Sequence, residues 1–350
     1  MFKSSLWLSL LFLLTIPPSP ARAGDVSVFV YHRFGESSLP STNIDLETFS
    51  GQLEALRRGG FTVLPLGEVV RRLEGKDPLP ERCAVLTVDD GYASFLTGAM
   101  PLLRRYGYPA TLFVATDFVG HSGYLDWDQL RQLRAEGVEI GNHSSTHDHL
   151  VNRLPGEGEA EWHRRVRVDL ETAQAELERH LGVRPELLAY PFGEYSPELI
   201  AVARELGFRG AAGQQSGVVS ERAELFALPR FPMGGVYATL EGFQEKLAMR
   251  ALPLRVVAPA SPVIGRDNPP DLVVQIEAGA VRLEALRCFV PGQPNAEILP
   301  DPHIPGRVTI RAGQPLAGRR SKYTLTAPAR QGPQWFWFSQ LWINPAEPEP

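Results

Sequence analysis

Short, continuous apolar runs alternate with amphipathic stretches from Val26 to about Met249. The runs at 26–31, 61–64, 84–88, 110–115, 138–141, 187–191, 208–212 and 225–231 predict strands, since a few apolar residues between turn formers fit a strand packed on both faces. Between them, Leu46, Phe49, Leu53 and Leu56 recur at helical spacing until Gly59-Gly60 ends the run. Asp126 with Gln129 forms a capping box for a helix that stops near Gly137, and 166–181 reads as a longer charged helix closed by Gly182. Such alternation implies parallel strands with helices outside, and seven or eight repeats favour a (β/α) barrel over an open sheet.

The pattern changes after residue 250. Pro253, Pro259, Pro262, Pro269 and Pro270 punctuate 251–270, which reads as a linker. Runs at 271–276, 281–290, 307–311, 322–327 and 335–343 then predict a small all-β sandwich over 271–343, and the Pro/Glu-rich 344–350 reads as a disordered tail. Trp335-Phe336-Trp337-Phe338 has strand alternation, so one face belongs to a core and the other could carry a sugar platform. At the other end, Lys3, the apolar 6–16 and Ala21-Arg22-Ala23 make 1–23 a signal peptide, with the catalytic unit running over 24–250. The apolar stretch is short for a membrane span, which favours a periplasmic or extracellular protein over a tethered one. Cleavage removes Lys3 and Arg22 and takes the net charge from −5 to −7, a poor match for nucleic acid or a strongly anionic polymer. Cys83 and Cys288 fall in different units; export permits a bridge between them, but two buried thiols are the simpler expectation.

The chemistry collects at predicted strand ends. Asp89-Asp90-Gly91 ends one run, His143-Ser144-Ser145-Thr146-His147 follows another, and His32 and Pro191-Phe192-Gly193 end two more. In a parallel barrel these ends share one mouth. His143 and His147 are four apart, so on a helical turn both imidazoles would point the same way. A carboxylate completes a His₂-carboxylate set suited to Zn²⁺, Co²⁺ or Ni²⁺. Neighbouring strand residues point apart, so one of the two aspartates is left to act on water as a general base. The frame Gly213-Gln214-Gln215-Ser216-Gly217 puts its serine out of place for a nucleophile elbow, which argues against a serine hydrolase.

Thr87-Val88-Asp89-Asp90-Gly91 resembles the Thr-Phe-Asp-Asp-Gly motif of the polysaccharide deacetylases, carbohydrate esterase family 4. His143 to His147 is similar to that family's His-Ser/Thr-x-x-His motif, and Ala189-Tyr190-Pro191-Phe192-Gly193 to its Arg-x-Pro-Tyr-Gly motif. The resemblance covers roughly 26–249. It implies a distorted (β/α) barrel and removal of N- or O-acetyl groups from an acetylated glycan. It also implies Asp89 as general base, Asp90, His143 and His147 as ligands of a zinc-like ion, and the Phe192 N–H as oxyanion donor. Two departures stand out. Ala189 replaces the arginine that braces the base, a role Arg230 could take from another strand, and the family's late Leu-x-His, source of the general acid, is absent. His32 is the expected substitute: Tyr31-His32 at a strand end resembles the exported poly-β-1,6-N-acetylglucosamine deacetylase branch. Tyr31, Trp127, Pro191 and Tyr195 are the expected substrate contacts. The reading is therefore an exported N-deacetylase, with the cell envelope or a polysaccharide-export apparatus as surroundings. A glycan-binding protein with an inactive barrel, an O-acetyl esterase and a small-amide amidase are the alternatives.

Overall fold

Every residue of β1 (Val26–Tyr31) and β2 (Cys83–Val88) is buried, as unbroken apolar runs require of strands packed on both faces. The structure, a computed structural model, describes residues 24–277, 279–294 and 296–349; the expected signal peptide lies outside the described residues. From β2 the parallel order continues through β3 (Thr111–Val114), β4 (Glu139–Asn142), β5 (Leu187–Ala189) and β6 (Gly210–Ala212). Leu228 then pairs in parallel with Ala212, and β7 (Phe231–Pro232) pairs in parallel with β1, so the ring closes on seven staves.

Two expected strands are much shorter than their apolar runs. Of 61–64 only Thr62–Val63 pairs, beside the start of β2 and outside the ring. In 225–231 the closing stave is reduced to isolated pairs, because Pro229 and Pro232 lack the N–H a ladder needs.

The helices cover the barrel: α1 (Leu46–Arg58), α2 (Leu66–Gly75), α3 (Met100–Tyr106), α4 (Trp127–Ala135), α5 (Glu159–Leu181), α6 (Pro197–Glu205) and α7 (Leu240–Leu247). In α1 the Asp45 carboxylate accepts from the Thr48 N–H at 2.7 Å, and Phe49, Leu53 and Leu56 face the core. The Asp126–Gln129 capping box forms as expected. Gly182 ends α5 at φ +64°, open to glycine at little cost. α5 starts earlier than its apolar spacing indicates, and its first turns bury Trp162, whose indole N–H donates to Leu150 O at 2.8 Å.

The β unit begins earlier than expected. Residues 251–270 are not simply a linker: β8 (Met249–Ala251) and β9 (Leu254–Ala258) already belong to sheets. Then come β10 (Leu272–Ile276), β11 (Arg287–Phe289), β12 (Ala296–Pro300), β13 (Arg307–Ala312), β14 (Arg320–Pro328) and β15 (Trp335–Ile343). They form two four-stranded sheets, β8-β15-β14-β11 and β9-β10-β13-β12, with Leu272, Val274, Ile310, Tyr323, Leu325 and Trp342 buried in this unit's core. The tail is not loose either. The Asn344 N–H donates to Arg319 O at 2.8 Å, and Arg319 donates to the carbonyls of Pro345 and Glu347. Along β15, Phe336 enters the sandwich core. Trp337 packs edge-on to Phe231 of the barrel at 5.7 Å and donates to Ser216 O at 3.2 Å, so its ring joins the two units. Cys83 and Cys288 are both free thiols. No helix among the described residues is long and apolar enough to cross a membrane.

Candidate active site

The register of the staves sets the site. Tyr31 pairs with Val88, so β1 and β2 end level, and the Asp89 N–H donates to Tyr31 O at 2.9 Å. Val114 pairs with Asn142, and the His143 N–H continues that ladder to Val114 O. Ala189 pairs with Ala212 one level further round. Asp89, His143, Tyr190 and Gly213 are thus each the first residue past a stave, at the C-terminal mouth.

Asp90, His143 and His147 offer ligand atoms that all lie within 4.8 Å of one another. Asp90 Oδ1 is 3.2 Å from Nε2 of His143 and 3.2 Å from Nε2 of His147. Neither contact is aligned as a hydrogen bond, and both Asp90 Oδ1 and His143 Nε2 are buried without a partner. Lone pairs that converge unpaired are what a shared cation would satisfy. Two donors about 2.0–2.1 Å from a tetrahedral ion stand roughly 3.3 Å apart, close to the spacing seen. His143 Nδ1 lies 2.8 Å from Ala189 O, so Nδ1 carries the proton and Nε2 faces the cluster with its lone pair. The donor set therefore fits a divalent ion. It comes together differently from the helical turn expected. After β4 the chain bends through Ser144 at φ +66° and His147 at φ +57°, and the rings meet at 4.8 Å and 70°. The Ser144 N–H donates to Asn142 Oδ1, the His147 N–H to Ser144 Oγ, and the Ser145 and Thr146 N–H groups to the Asp169 carboxylate on α5.

Asp89 and Arg230 form a wholly buried ion pair. The guanidinium donates to both carboxylate oxygens, each at 2.7 Å, and also to Thr87 Oγ1 and Gly213 O. Arg230 stands on the closing segment between β6 and β7, which is why it reaches Asp89 from across the barrel. Burial pushes the Asp89 carboxyl up, but Arg230, then His143 and His32, outweigh it and hold the carboxyl low. Asp90 is held well below the carboxylate range against the same burial penalty by the imidazoles of His143 and His147 and the charge of His32. His32 therefore lies within electrostatic reach of both carboxylates.

Pro191, Phe192 and Gly193 form one tight turn, with Phe192 at φ +57°. The Phe192 ring stacks on His149 at 3.9 Å and meets His147 at 4.7 Å.

Three expected substrate contacts are placed elsewhere. Tyr31 points into the core, its hydroxyl donating to Gln52 Oε1 at 2.8 Å, because a strand buried on both faces sends alternate residues away from the mouth. Trp127 stacks flat on His180 at 4.0 Å, so α5 occupies a face of its ring. Tyr195 lines a cavity of about 840 Å³ between α6 and the β unit, shared with Ile200, Arg204, Leu254 and Phe338. The aromatic group beside Asp90 is instead Tyr92, whose phenol is pushed up by burial and by the Asp90 charge. Tyr92 packs against Tyr124 at 4.8 Å, and Arg33 lies 3.3 Å above its ring. Its position directly after Asp89-Asp90-Gly91 was the signal for it.

A closed parallel barrel with this cluster at its C-terminal mouth is the layout of a barrel hydrolase. Residues 76–211 match the family model described as polysaccharide deacetylase. Over 214 residues it is 25% identical to the poly-beta-1,6-N-acetyl-D-glucosamine N-deacetylase of Escherichia coli strain K12, covering 51% of this chain and 32% of that protein. Over 239 residues it is 20% identical to the Staphylococcus aureus (strain MSSA476) protein of the same name, covering 64% and 81%. The structure of IcaB from Ammonifex degensii is similar at a TM-score of 0.56 and 25% identity, covering 65% of this chain and 98% of that one. This chain thus spans about a third of the length of the Escherichia coli relative.

Proposed function

We propose that this protein hydrolyses the N-acetyl groups of a poly-β-1,6-N-acetylglucosamine-type glycan outside the cytoplasm, using one divalent ion, Zn²⁺ in the simplest case. The observation that carries the reading is the convergence of Asp90 Oδ1, His143 Nε2 and His147 Nε2, the first two buried without a partner, beside a carboxylate already clamped by an arginine. Those three residues would hold the ion. When bound it would polarise the acetyl carbonyl and make water a better acid. Asp89 then takes a proton from the attacking water. Arg230 engages each of its oxygens once, which leaves a second lone pair on each for that proton. The Phe192 N–H is the donor assigned to the oxyanion, and His32 returns a proton to the departing amine, which leaves as glucosamine beside free acetate. The choice of polymer is supported by the similarity to poly-beta-1,6-N-acetyl-D-glucosamine N-deacetylases.

The deciding experiment is acetate release from a panel of N- and O-acetylated glycans, with the ion stripped and restored, and Asp89→Asn alongside. Release from N-acetylglucosamine polymers, lost on stripping and on Asp89→Asn, is the expected result. Release unaffected by either would overturn the assignment, and bound metal with no release from any glycan would favour a binding protein with an inert barrel.

A further inference from the structure

The C-terminal β unit reaches into the active-site mouth. Glu194 directly follows the Pro191–Gly193 turn, and its side chain is wholly buried. Arg319, only 2% exposed, donates from Nε to Glu194 Oε1 and from Nη2 to Glu194 Oε2, both at 2.7 Å, a two-pronged grip of fixed orientation. The same Nη2 donates to Asn152 Oδ1 at 2.8 Å, in the loop after the histidine motif. Arg320 adds a bond to Glu194 Oε1 at 3.0 Å, and its guanidinium lies 5.4 Å from the Phe192 ring centre. His149, stacked on that ring, stands 3.0 Å from Glu194 Oε2. Arg320 also pairs with Glu349 of the tail. His149, Glu194 and Glu349 come close enough to hold a cation, but two guanidiniums already take the carboxylates, so the cluster is an ion-pair network.

We propose that Arg319 and Arg320 are positioning residues: through Glu194 they hold the Pro191–Gly193 turn in its left-handed shape and aim the Phe192 N–H. A phenylalanine in that region keeps its conformation only where its surroundings enforce it. The enforcing contacts come from β14 and the segment before it, more than a hundred residues downstream, so the β unit is part of the working site. That the aimed N–H serves the reaction rests on the deacetylase reading; the clamp itself does not.

The test compares Arg319→Lys, which keeps the charge and loses the fork, with Arg320→Ala, which removes the ring contact together with the bonds to Glu194 and Glu349. Ile310→Val serves as control, loosening the sandwich core far from the clamp. Each is assayed well below its melting temperature for amide hydrogen exchange of residues 190–196, for bound metal, and for kcat and KM on a short N-acetylglucosamine oligomer. Both clamp variants are expected to exchange about tenfold faster in that segment. Their kcat should fall about tenfold, with KM and metal content within about twofold. Ile310→Val should match the wild type on every count. Unchanged exchange at 190–196 in both clamp variants, or the same change in Ile310→Val, would overturn the proposal. Should Arg319→Lys fail to fold, Arg320→Ala carries the comparison. Should the wild type release no acetate, the deacetylase reading falls while the exchange data still decide the clamp.

Discussion

Arg230→Met is the most informative single substitution in the barrel. It fills the same space with an apolar chain and leaves the Asp89 carboxylate, 0% exposed, without its guanidinium partner. Removing one partner of a buried pair costs about 3–5 kcal/mol. Gly213 O and Thr87 Oγ1 also lose a donor. Asp89→Asn strands the other charge. The guanidinium keeps Thr87 and Gly213 but cannot shed its proton, and the new amide NH2 faces one of its N–H groups, so the loss should again be about 3–5 kcal/mol. The two together remove both charges and should recover about 2 kcal/mol relative to either alone. Urea unfolding of the metal-free protein at neutral pH, followed by circular dichroism, reads all four. The reasoning fails if either single variant costs less than about 1 kcal/mol, or if the double variant is no more stable than the single ones.

Zn²⁺ at a hundred times its dissociation constant should raise the stability of the wild type by about 2.7 kcal/mol, seen by calorimetry as a higher Tm, and should do nothing for His143→Ala. His32→Ala should lower kcat by about 10²–10⁴-fold with metal content unchanged; near-normal turnover would remove His32 as the acid. Asp169→Ala loses the acceptor of the Ser145 and Thr146 N–H groups and of the Thr146 hydroxyl. It should weaken metal affinity about 10–100-fold in competition with a chromophoric chelator, while α5 stays helical; equal affinity would show that the turn holds itself. Burial pushes both the Cys83 and Cys288 thiols up to about 12, so at pH 8 only about one in 10⁴ of either is thiolate. Ellman's reagent should label neither in the folded protein at that pH and both in denaturant; fast labelling of the native protein would contradict the packing.

Why the barrel was legible and some of its contents were not comes down to range. An apolar run that stops at Asp89-Asp90 or His143 announces a buried strand and the residue at its end, since both facts are local. The closing segment gave a weaker signal because Pro229 and Pro232 break its ladder, so its run looked like one more full strand. Tyr31 was misplaced for a related reason. Alternation tells inside from outside only when one face is polar, and in β1 neither is. Trp127 next to a helix cap looked free, but its partner, His180, lies at the far end of another helix. The grip of Arg319 on Glu194 spans 125 positions, and no spacing rule reaches so far. The proline-rich tail looked unstructured on composition, yet its carbonyls cap Arg319.

Backbone strain gathers where the chemistry is assigned. Among the described residues five non-glycine positions have positive φ: Lys76, Asp90, Ser144, His147 and Phe192. Lys76 only ends α2, but the other four are the assigned ligand Asp90, the kinked histidine turn and the Phe192 turn. Such conformations cost of order 1–3 kcal/mol each and persist only when neighbours over-determine them. Here the neighbours can be named. Asn142, the Ser144 hydroxyl and Asp169 hold the histidine turn, and Glu194 with its two arginines holds the Phe192 turn. A regular strand end would send consecutive side chains to opposite faces and could not bring Asp90 back beside His143 and His147 with Asp89 next to it. The left-handed kink at Asp90 undoes that alternation at one residue. Two adjacent aspartates can then hold different partners at the same mouth, Asp89 the arginine and Asp90 the pair of histidines. The division proposed between a base and a ligand would thus be a property of backbone shape as much as of side-chain identity.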